Sequence, residues 1–140
     1  MYPVASEENI KALLEQCRTI AIVGLSDKPH RDSFKVAQYL QEQGYRIIPV
    51  HPRIKEVLGE RVYPTLAEIP EPVDMVNVFR KSEDTPEVVR QALPLKPKAI
   101  WLQLGIANEE AGRLAAESGI PYIQDRCIKV DHARLLQNEA

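Results

Sequence analysis

The sequence has little of the residue types that build metal centres and disulfide frameworks. Its two cysteines, Cys17 and Cys127, lie far apart and form no CxxC pair, and the natural interpretation is a reduced, cytoplasmic protein. The three histidines are separate in sequence, and none has metal-ligand spacing to a cysteine or a carboxylate. We therefore expect no metal site. We also expect no catalytic residue, because pairing Ser26 with His30 leaves the base without an orienting group.

Strong charge and long apolar runs are lacking as well. The formal net charge of the 140 residues is −2, which provides no strong positive field for nucleic acid. The longest apolar runs are far shorter than the roughly 20 residues of a membrane-spanning helix, and no basic-then-apolar signal segment opens the chain. We expect one domain over residues 1–140, with a core at about 15–133, that binds neither nucleic acid nor membrane.

Glycine is scarce where a dinucleotide motif would need it. Gly24 is the only glycine between Thr19 and Phe34, so the GxGxxG fingerprint is absent. The second apolar run ends in Val50-His51-Pro52-Arg53, without the acidic residue that binds the ribose 2′-hydroxyl of NAD. These two absences disfavour NAD as a ligand.

Strand-like and helix-like segments alternate along the chain. Apolar runs predict strands at 19–23, 46–50, 74–79, 99–104 and 121–124. Amphipathic patterns predict a first helix capped by Ser6, further helices between the strands and a terminal helix after Asp131. This alternation predicts an α/β fold, a single Rossmann-like doubly wound domain with a five-stranded, mainly parallel sheet. Ligands of such folds bind at the carboxyl ends of the strands, near the switch in strand order.

A cationic loop follows the first strand and leads into the second helix. Its basic side chains are Lys28, His30, Arg31 and Lys35. Cations at a helix N-terminus oppose the helix dipole unless an anion neutralises them. We expect Asp32 or Ser33 to cap this helix, and the position of a capping-box Glu or Gln is occupied by another residue type. The pattern predicts backbone donors left open for a phosphate.

The residues after the second strand are compatible with two different ligands. Arg53, with Lys55 nearby, could meet an extra phosphate on a ribose, which NADP carries on the 2′ oxygen and coenzyme A (CoA) on the 3′ oxygen. His51 is expected to be a packing or ligand contact rather than a general base. Cys127 follows Arg126, which could lower the pKa of a thiol, but a buried, inert thiol is expected there. Trp101 is expected in the core and Phe79 either in the core or against the ligand.

Five segments, in this order, resemble the small CoA-binding domain proteins, which are similar to the nucleotide-binding domain of the succinyl-CoA synthetase α-subunit standing alone. The resemblance covers about residues 15–133. The segments are Ile22-Val23-Gly24-Leu25-Ser26, Tyr45-Arg46-Ile47-Ile48-Pro49-Val50-His51-Pro52, Val76-Asn77-Val78-Phe79-Arg80, Trp101-Leu102-Gln103-Leu104-Gly105 and Asp125-Arg126-Cys127-Ile128-Lys129.

The resemblance implies a Rossmann-like domain that holds CoA, with candidate binding residues in three groups. The pyrophosphate would lie over Gly24, Leu25 and Ser26, beside Arg31 and the helix start at Ser33 and Phe34. The adenine and the 3′-phosphate would lie near Val50, His51, Pro52 and Arg53, and the pantetheine path would be flanked by Phe79, Arg80, Gln103 and Gly105.

The functional expectation is a non-enzymatic module that binds CoA or an acyl-CoA for a partner. Two alternatives belong to other classes, namely a small NADP-dependent oxidoreductase and an acyl-CoA ligase or transferase fragment that needs a partner subunit. A homodimer or a complex with another protein is left open by the residues alone.

Overall fold

The computed structural model describes residues 6–137. The strands are β1 Thr19–Val23, β2 Arg46–Val50, β3 Glu56–Val57, β4 Glu60–Arg61, β5 Met75–Val78, β6 Ala99–Leu102 and β7 Tyr122–Ile123. The helices are α1 Glu7–Gln16, α2 Asp32–Glu42, α3 Thr85–Ala92, α4 Glu109–Glu117 and α5 Ile128–His132, which continues into a π-helical turn at Ala133–Gln137. Short 3₁₀ turns lie at Leu66–Glu68, Ser82–Asp84 and Leu93–Leu95.

The predicted α/β class is confirmed by a five-stranded parallel sheet. Its strand order is β2-β1-β5-β6-β7, and its register sets Ile20 of β1 between Ile47 of β2 and Met75 of β5. The chain passes from β1 to β2 on one side and then crosses to β5 on the other. The carboxyl ends of β1, β2 and β5 therefore surround the switch in strand order, where ligands of doubly wound folds bind.

Helices cover both faces of the sheet, which explains why its strands are apolar on both sides. One core cluster joins α1, α2 and α5 to side chains such as Ile22 and Trp101. The other joins α3 and α4 to side chains such as Val76 and Ile100. Trp101 is completely buried, as predicted. Within residues 6–137, no helix is long and apolar enough to cross a membrane.

Several element boundaries differ from the predicted ones. The strands predicted at 74–79, 99–104 and 121–124 end earlier, at Val78, Leu102 and Ile123. The terminal helix predicted after Asp131 begins at Ile128 instead. Its early start has a local reason, because Asp131 lies buried inside the helix and its carboxylate accepts a 2.6 Å hydrogen bond from the Nε of Arg126.

The edge strand β2 carries a proline in its interior. The carbonyl of Pro49 accepts a hydrogen bond from the N–H of Tyr63, and the N–H of His51 donates to the carbonyl of Tyr63, both at 3.0 Å. Pro49 therefore turns its nitrogen, which has no hydrogen, away from β1. This is the arrangement in which an edge strand tolerates proline.

A buried histidine links the last helix to the rest of the domain. His132 is 6% exposed, and its Nδ1 lies 2.7 Å from the hydroxyl of Tyr39. The rings of Tyr39 and Tyr45 pack edge-on against the imidazole at 5.4 and 5.6 Å. Burial lowers the pKa of His132 because the charged imidazolium is poorly solvated there.

We expect His132 to make the stability of the domain depend on pH. Its pKa is lower in the folded than in the unfolded chain, so its contribution is complete above an ordinary histidine pKa of about 6.5. This contribution is lost as the pH falls below that value, because protonation favours the unfolded chain. Urea unfolding of wild type between pH 7.5 and 5 should show the loss, and His132→Gln should reduce it.

His30→Gln, which replaces an exposed histidine, is measured beside it as the control. An identical profile for wild type and His132→Gln would contradict the assignment.

Candidate functional site

The turn after β1 brings three strand ends together. Gly24 has a φ of +87°, and a Cβ atom placed on it would lie 2.3 Å from the carbonyl oxygen of Phe79. The N–H of Gly24 donates to the carbonyl of Val50 at 2.9 Å, and the N–H of Phe79 donates to the carbonyl of Val23 at 2.8 Å. Only glycine satisfies both the left-handed backbone and the close approach. This turn therefore fixes β1, β2 and β5 relative to one another at their carboxyl ends.

Two serines hold the loop between Gly24 and α2. The hydroxyl of Ser33 accepts a hydrogen bond from the N–H of Ser26 at 3.0 Å, and the hydroxyl of Ser26 accepts one from the N–H of Lys28 at 3.1 Å. Ser33 thus connects the loop to the helix by a hydrogen bond. This bond determines the path of the chain over the ends of the strands.

The prediction that Asp32 or Ser33 caps α2 is wrong. The N-cap residue is Arg31, and no side chain makes a capping hydrogen bond there. Ser33 lies within the first turn of the helix, and its hydroxyl serves Ser26 instead. The N–H groups of the first turn have no partner within the helix itself, so this end of α2 keeps donors and the positive end of its dipole available for an anion.

Two connected clefts lie over the strand ends. One, of about 290 Å³, is lined by Gly24, His51, Pro52, Arg53, Phe79 and Arg80. The other, of about 280 Å³, shares His51, Pro52 and Arg80 and extends between the 3₁₀ turn at Leu66–Glu68 and α3. Val50 lines this second cleft. Together the clefts gather seven of the candidate residues, including the whole run from Val50 to Arg53.

His51 lies where the two clefts join. Its Nδ1 accepts a hydrogen bond from the N–H of Arg53 at 3.0 Å. Burial lowers the pKa of His51, the positive charges of Arg53 and Arg80 lower it further, and the nearby carboxylate of Asp27 opposes them. The imidazole is therefore held in its neutral form within a group of cations.

The cations of the site differ in their partners. The guanidinium of Arg80 lies 3.6 Å from the carboxylate of Asp84, and both side chains are more than two-fifths exposed, so this pair is weak. In the described part of the chain, neither Arg31 nor Arg53 forms an ion pair with a carboxylate. These two guanidinium groups remain available for an external anion.

Other candidate residues lie outside both clefts. Leu25 is completely buried, and Phe34 packs partly buried against the core. The side chain of Gln103 turns inward, where its Oε1 accepts a hydrogen bond from the N–H of Ile128 at 3.3 Å. Gly105 forms an open turn with a φ of +86°, and its N–H donates to Asp125 at 2.7 Å. Any role of these residues toward a ligand would involve the backbone or the exposed loops.

The residues missed by the sequence analysis lie mostly in the second cleft. They are Pro64, Thr65 and Leu66 on one wall and Glu83, Asp84, Glu87, Val88 and Gln91 on the other. The first group is carried to the strand ends by a parallel bridge between Tyr63 and Val50. No local sequence pattern indicates such a bridge. Pro64, which follows the extended segment 61–63, does indicate a turn.

Asn77 is a further polar residue that the sequence patterns did not single out. Its side chain lies buried in β5, its amide donates to the carbonyl of Trp101 at 3.3 Å, and its Oδ1 has no protein partner. A polar residue inside the apolar run Met75–Val78 was the available signal, since buried amides are normally paired.

The cysteines divide by burial. Cys17 is buried, and this burial raises the pKa of its thiol to about 11. Cys127, which we expected to be buried, is partly exposed, and the neighbouring guanidinium of Arg126 is bound by Asp131. Among the described residues, no group of three or more His, Cys, Asp or Glu side chains could hold a metal ion.

The family model described as "CoA binding domain" matches residues 18–133. The chain belongs to this family. The resemblance noted in the sequence is thereby confirmed, and the match covers every strand of the sheet and both clefts of this CoA-binding domain.

Similar proteins extend the comparison to both single-domain and longer chains. The "Uncharacterized protein YneT" of Bacillus subtilis is 46% identical over 128 residues, which cover 91% of this chain and 95% of that protein. A hypothetical protein of solved structure from Pyrococcus horikoshii OT3 is 38% identical, with a TM-score of 0.92 and 97% of each chain covered.

A larger relative is the Acetate–CoA ligase [ADP-forming] II of Archaeoglobus fulgidus. It is 28% identical over 95 residues, which cover 66% of this chain but only 14% of the ligase. The CoA-binding domain thus occurs both nearly alone and as a small part of a ligase.

We expect Gly24→Ala to destabilise the domain strongly. The substitution forces a side chain into the left-handed region and against the backbone of Phe79, which no side-chain rearrangement relieves. The expected loss is about 3 kcal/mol or more in the free energy of unfolding, measured by urea denaturation.

Gly105→Ala is the matched control, because Gly105 has nearly the same φ but nothing within 4 Å of an added Cβ. It should cost only about 1 kcal/mol, the strain of the backbone itself. Equal losses for the two variants would show that the contact with Phe79 is unimportant.

Proposed function

We propose that this chain binds CoA, free or acylated, across the carboxyl edge of its sheet as a non-catalytic module. The observation that carries the proposal is a pair of joined clefts at the switch in strand order, in a chain that belongs to the CoA-binding domain family. Cations line this edge although the whole chain has a net charge of −2.

The pyrophosphate of CoA fits the start of α2. The uncapped first turn supplies N–H donors and the positive end of the helix dipole. Arg31, at the N-cap position and without a carboxylate partner, supplies a charge beside them. Gly24 offers only its backbone to the adjoining cleft, because the carbonyl of Phe79 fills the space that its side chain would occupy.

The nucleoside end of CoA fits the clefts beyond Gly24. Arg53 and Arg80 offer guanidinium groups to the 3′-phosphate, and guanidinium groups match phosphate oxygens in geometry and charge. The second cleft has apolar walls from Val50, Leu66 and Val88, which suit a flat base. The partly exposed Phe79 follows β5 and lines the first cleft, and the pantetheine arm would leave past it.

We propose no reaction, since the clefts offer no activated nucleophile. His51 is the histidine that lines them, and its Nδ1 is engaged by the backbone of Arg53 rather than by a hydroxyl or a thiol. A general base needs a nitrogen within hydrogen-bond reach of the nucleophile it activates. The aligned region is a small fraction of the Archaeoglobus ligase, and its activity is not transferred to this chain.

We expect ligand-free protein to bind CoA in isothermal titration and to bind dephospho-CoA about 10- to 100-fold more weakly. The missing phosphate removes charge-assisted hydrogen bonds of about 1.5–3 kcal/mol. NAD should give no heat of binding. Binding of NADP with no response to CoA would contradict the proposal and favour an oxidoreductase.

We also expect Arg53→Gln to weaken CoA binding about tenfold while leaving dephospho-CoA nearly unaffected, because one charged contact to phosphate is lost. Arg113→Gln is the control, since Arg113 is an exposed arginine of α4 that pairs with Glu117 and lies outside both clefts. Equal effects of the two substitutions would mean that only the overall charge of the protein matters.

A further inference from the structure

We propose that His51 is a neutral hydrogen-bond donor that, between Arg53 and Arg80, selects a ligand carrying a phosphate monoester on its ribose. The inference rests on the proposed function and assigns a role within the same site. It distinguishes His51 from the two arginines, which recognise charge.

The backbone of Arg53 determines which nitrogen of His51 carries the proton. Its N–H donates to Nδ1 at 3.0 Å, and a nitrogen that accepts a hydrogen bond cannot itself bear a hydrogen. A neutral imidazole has one N–H hydrogen, which must then lie on Nε2. Since the N–H of His51 is held by the carbonyl of Tyr63, the residue is fixed at both its backbone and its ring.

The charges around His51 favour the neutral form. Burial and the positive charges of Arg53 and Arg80 lower its pKa, and Asp27 raises it. Asp84 is drawn towards Arg80 at 3.6 Å, and Glu83 and Glu87 line the far part of the second cleft. A protonated Nδ1 would also face the N–H of Arg53 donor to donor, so ring protonation would cost the 3.0 Å bond.

The three groups together fit one class of ligand group. His51, Arg53 and Arg80 line the first cleft together, so two guanidinium groups and an Nε2–H donor are offered to the same space. A phosphate monoester has three acceptor oxygens and a charge of about −1.5 to −2 at neutral pH. A bare ribose hydroxyl offers neither that charge nor enough acceptors for these donors.

The tautomer can be measured without any ligand. The nitrogen chemical shifts of the imidazole rings are measured at pH 7.5. The signals of His51 are assigned as those that disappear in the His51→Asn variant. They should show an unprotonated Nδ1 and a protonated Nε2. A ring protonated on Nδ1, or a doubly protonated ring, would overturn the assignment. This result is independent of whether CoA binds.

Two substitutions separate the two ring nitrogens. In His51→Asn the side-chain oxygen can take the place of Nδ1 and accept from the N–H of Arg53, but the distal donor is lost. In His51→Gln an amide N–H lies near the position of Nε2. We expect His51→Asn to weaken CoA binding about tenfold and to leave dephospho-CoA binding unchanged, whereas His51→Gln should retain most of the CoA affinity.

Several outcomes would overturn the inference. An unchanged CoA affinity in His51→Asn would show that Nε2 is not used, and an equal loss for CoA and dephospho-CoA would show that it contacts another part of the ligand. If wild type takes up more protons on binding CoA than His51→Asn does, measured by titration in buffers of different ionisation enthalpy, the ring acts as a cation.

Failure of the proposed function has a different signature. Wild type that binds neither CoA nor dephospho-CoA would overturn both the proposed function and the ligand role of His51, while the tautomer measurement would still test the state of the ring. Thermal unfolding of both variants shows whether a change in affinity reflects loss of the fold.

Discussion

The approach of the Gly24 turn to the carbonyl of Phe79 is the constraint on which the proposed ligand face depends. With no Cβ at this position, the turn packs against the backbone of Phe79, while the Phe79 N–H bonds to Val23 of β1 and the Gly24 N–H bonds to Val50 of β2. These bonds close the ends of three strands into one platform. The loop to α2, the run after β2 and the start of the segment after β5 all leave from that platform, so their side chains converge.

The electrostatics of the platform come from the pairing of charges elsewhere. Arg46 is bound by Glu71 and Glu60, Arg90 by Glu110, and Arg126 by Asp131. These carboxylates therefore neutralise arginines on the body of the domain. The guanidinium groups over the strand ends have weak partners or none in the described region, and a slightly acidic protein can in this way present a local cationic surface.

Much of this arrangement can be predicted from the residues. Unbroken apolar runs such as Thr19–Val23 indicate strands buried on both faces, and Ser6 and Asn108 cap α1 and α4 as their side chains suggest. The position of Gly24 after the first strand indicates the edge of the sheet at which we propose that the ligand binds. These features are local, since each depends on a run of neighbouring residues and on the preferences of single side chains.

The remaining features depend on contacts between distant segments. Ser33 has the chemistry of a cap, but the N–H of Ser26 claims its hydroxyl and leaves α2 uncapped. Gln103 follows β6 at the carboxyl edge of the sheet, yet its side chain lies in the core, where it accepts a hydrogen bond from the N–H of Ile128. In both cases a hydrogen-bond partner far along the chain, or across a loop, determines the role of the polar side chain. The periodicity of the sequence does not reveal that partner.

Pro49 also affects how copies of this chain can meet. The outer side of β2 offers a nitrogen without hydrogen at Pro49, and Tyr63 already occupies the carbonyl of Pro49 and the N–H of His51. At the other side of the sheet, β7 pairs over only two residues. An approaching strand finds few open backbone groups at either border, so the sheet resists growing from one molecule into the next. Both borders thus disfavour strand-to-strand pairing between copies, while the edge at which we propose ligand binding stays open.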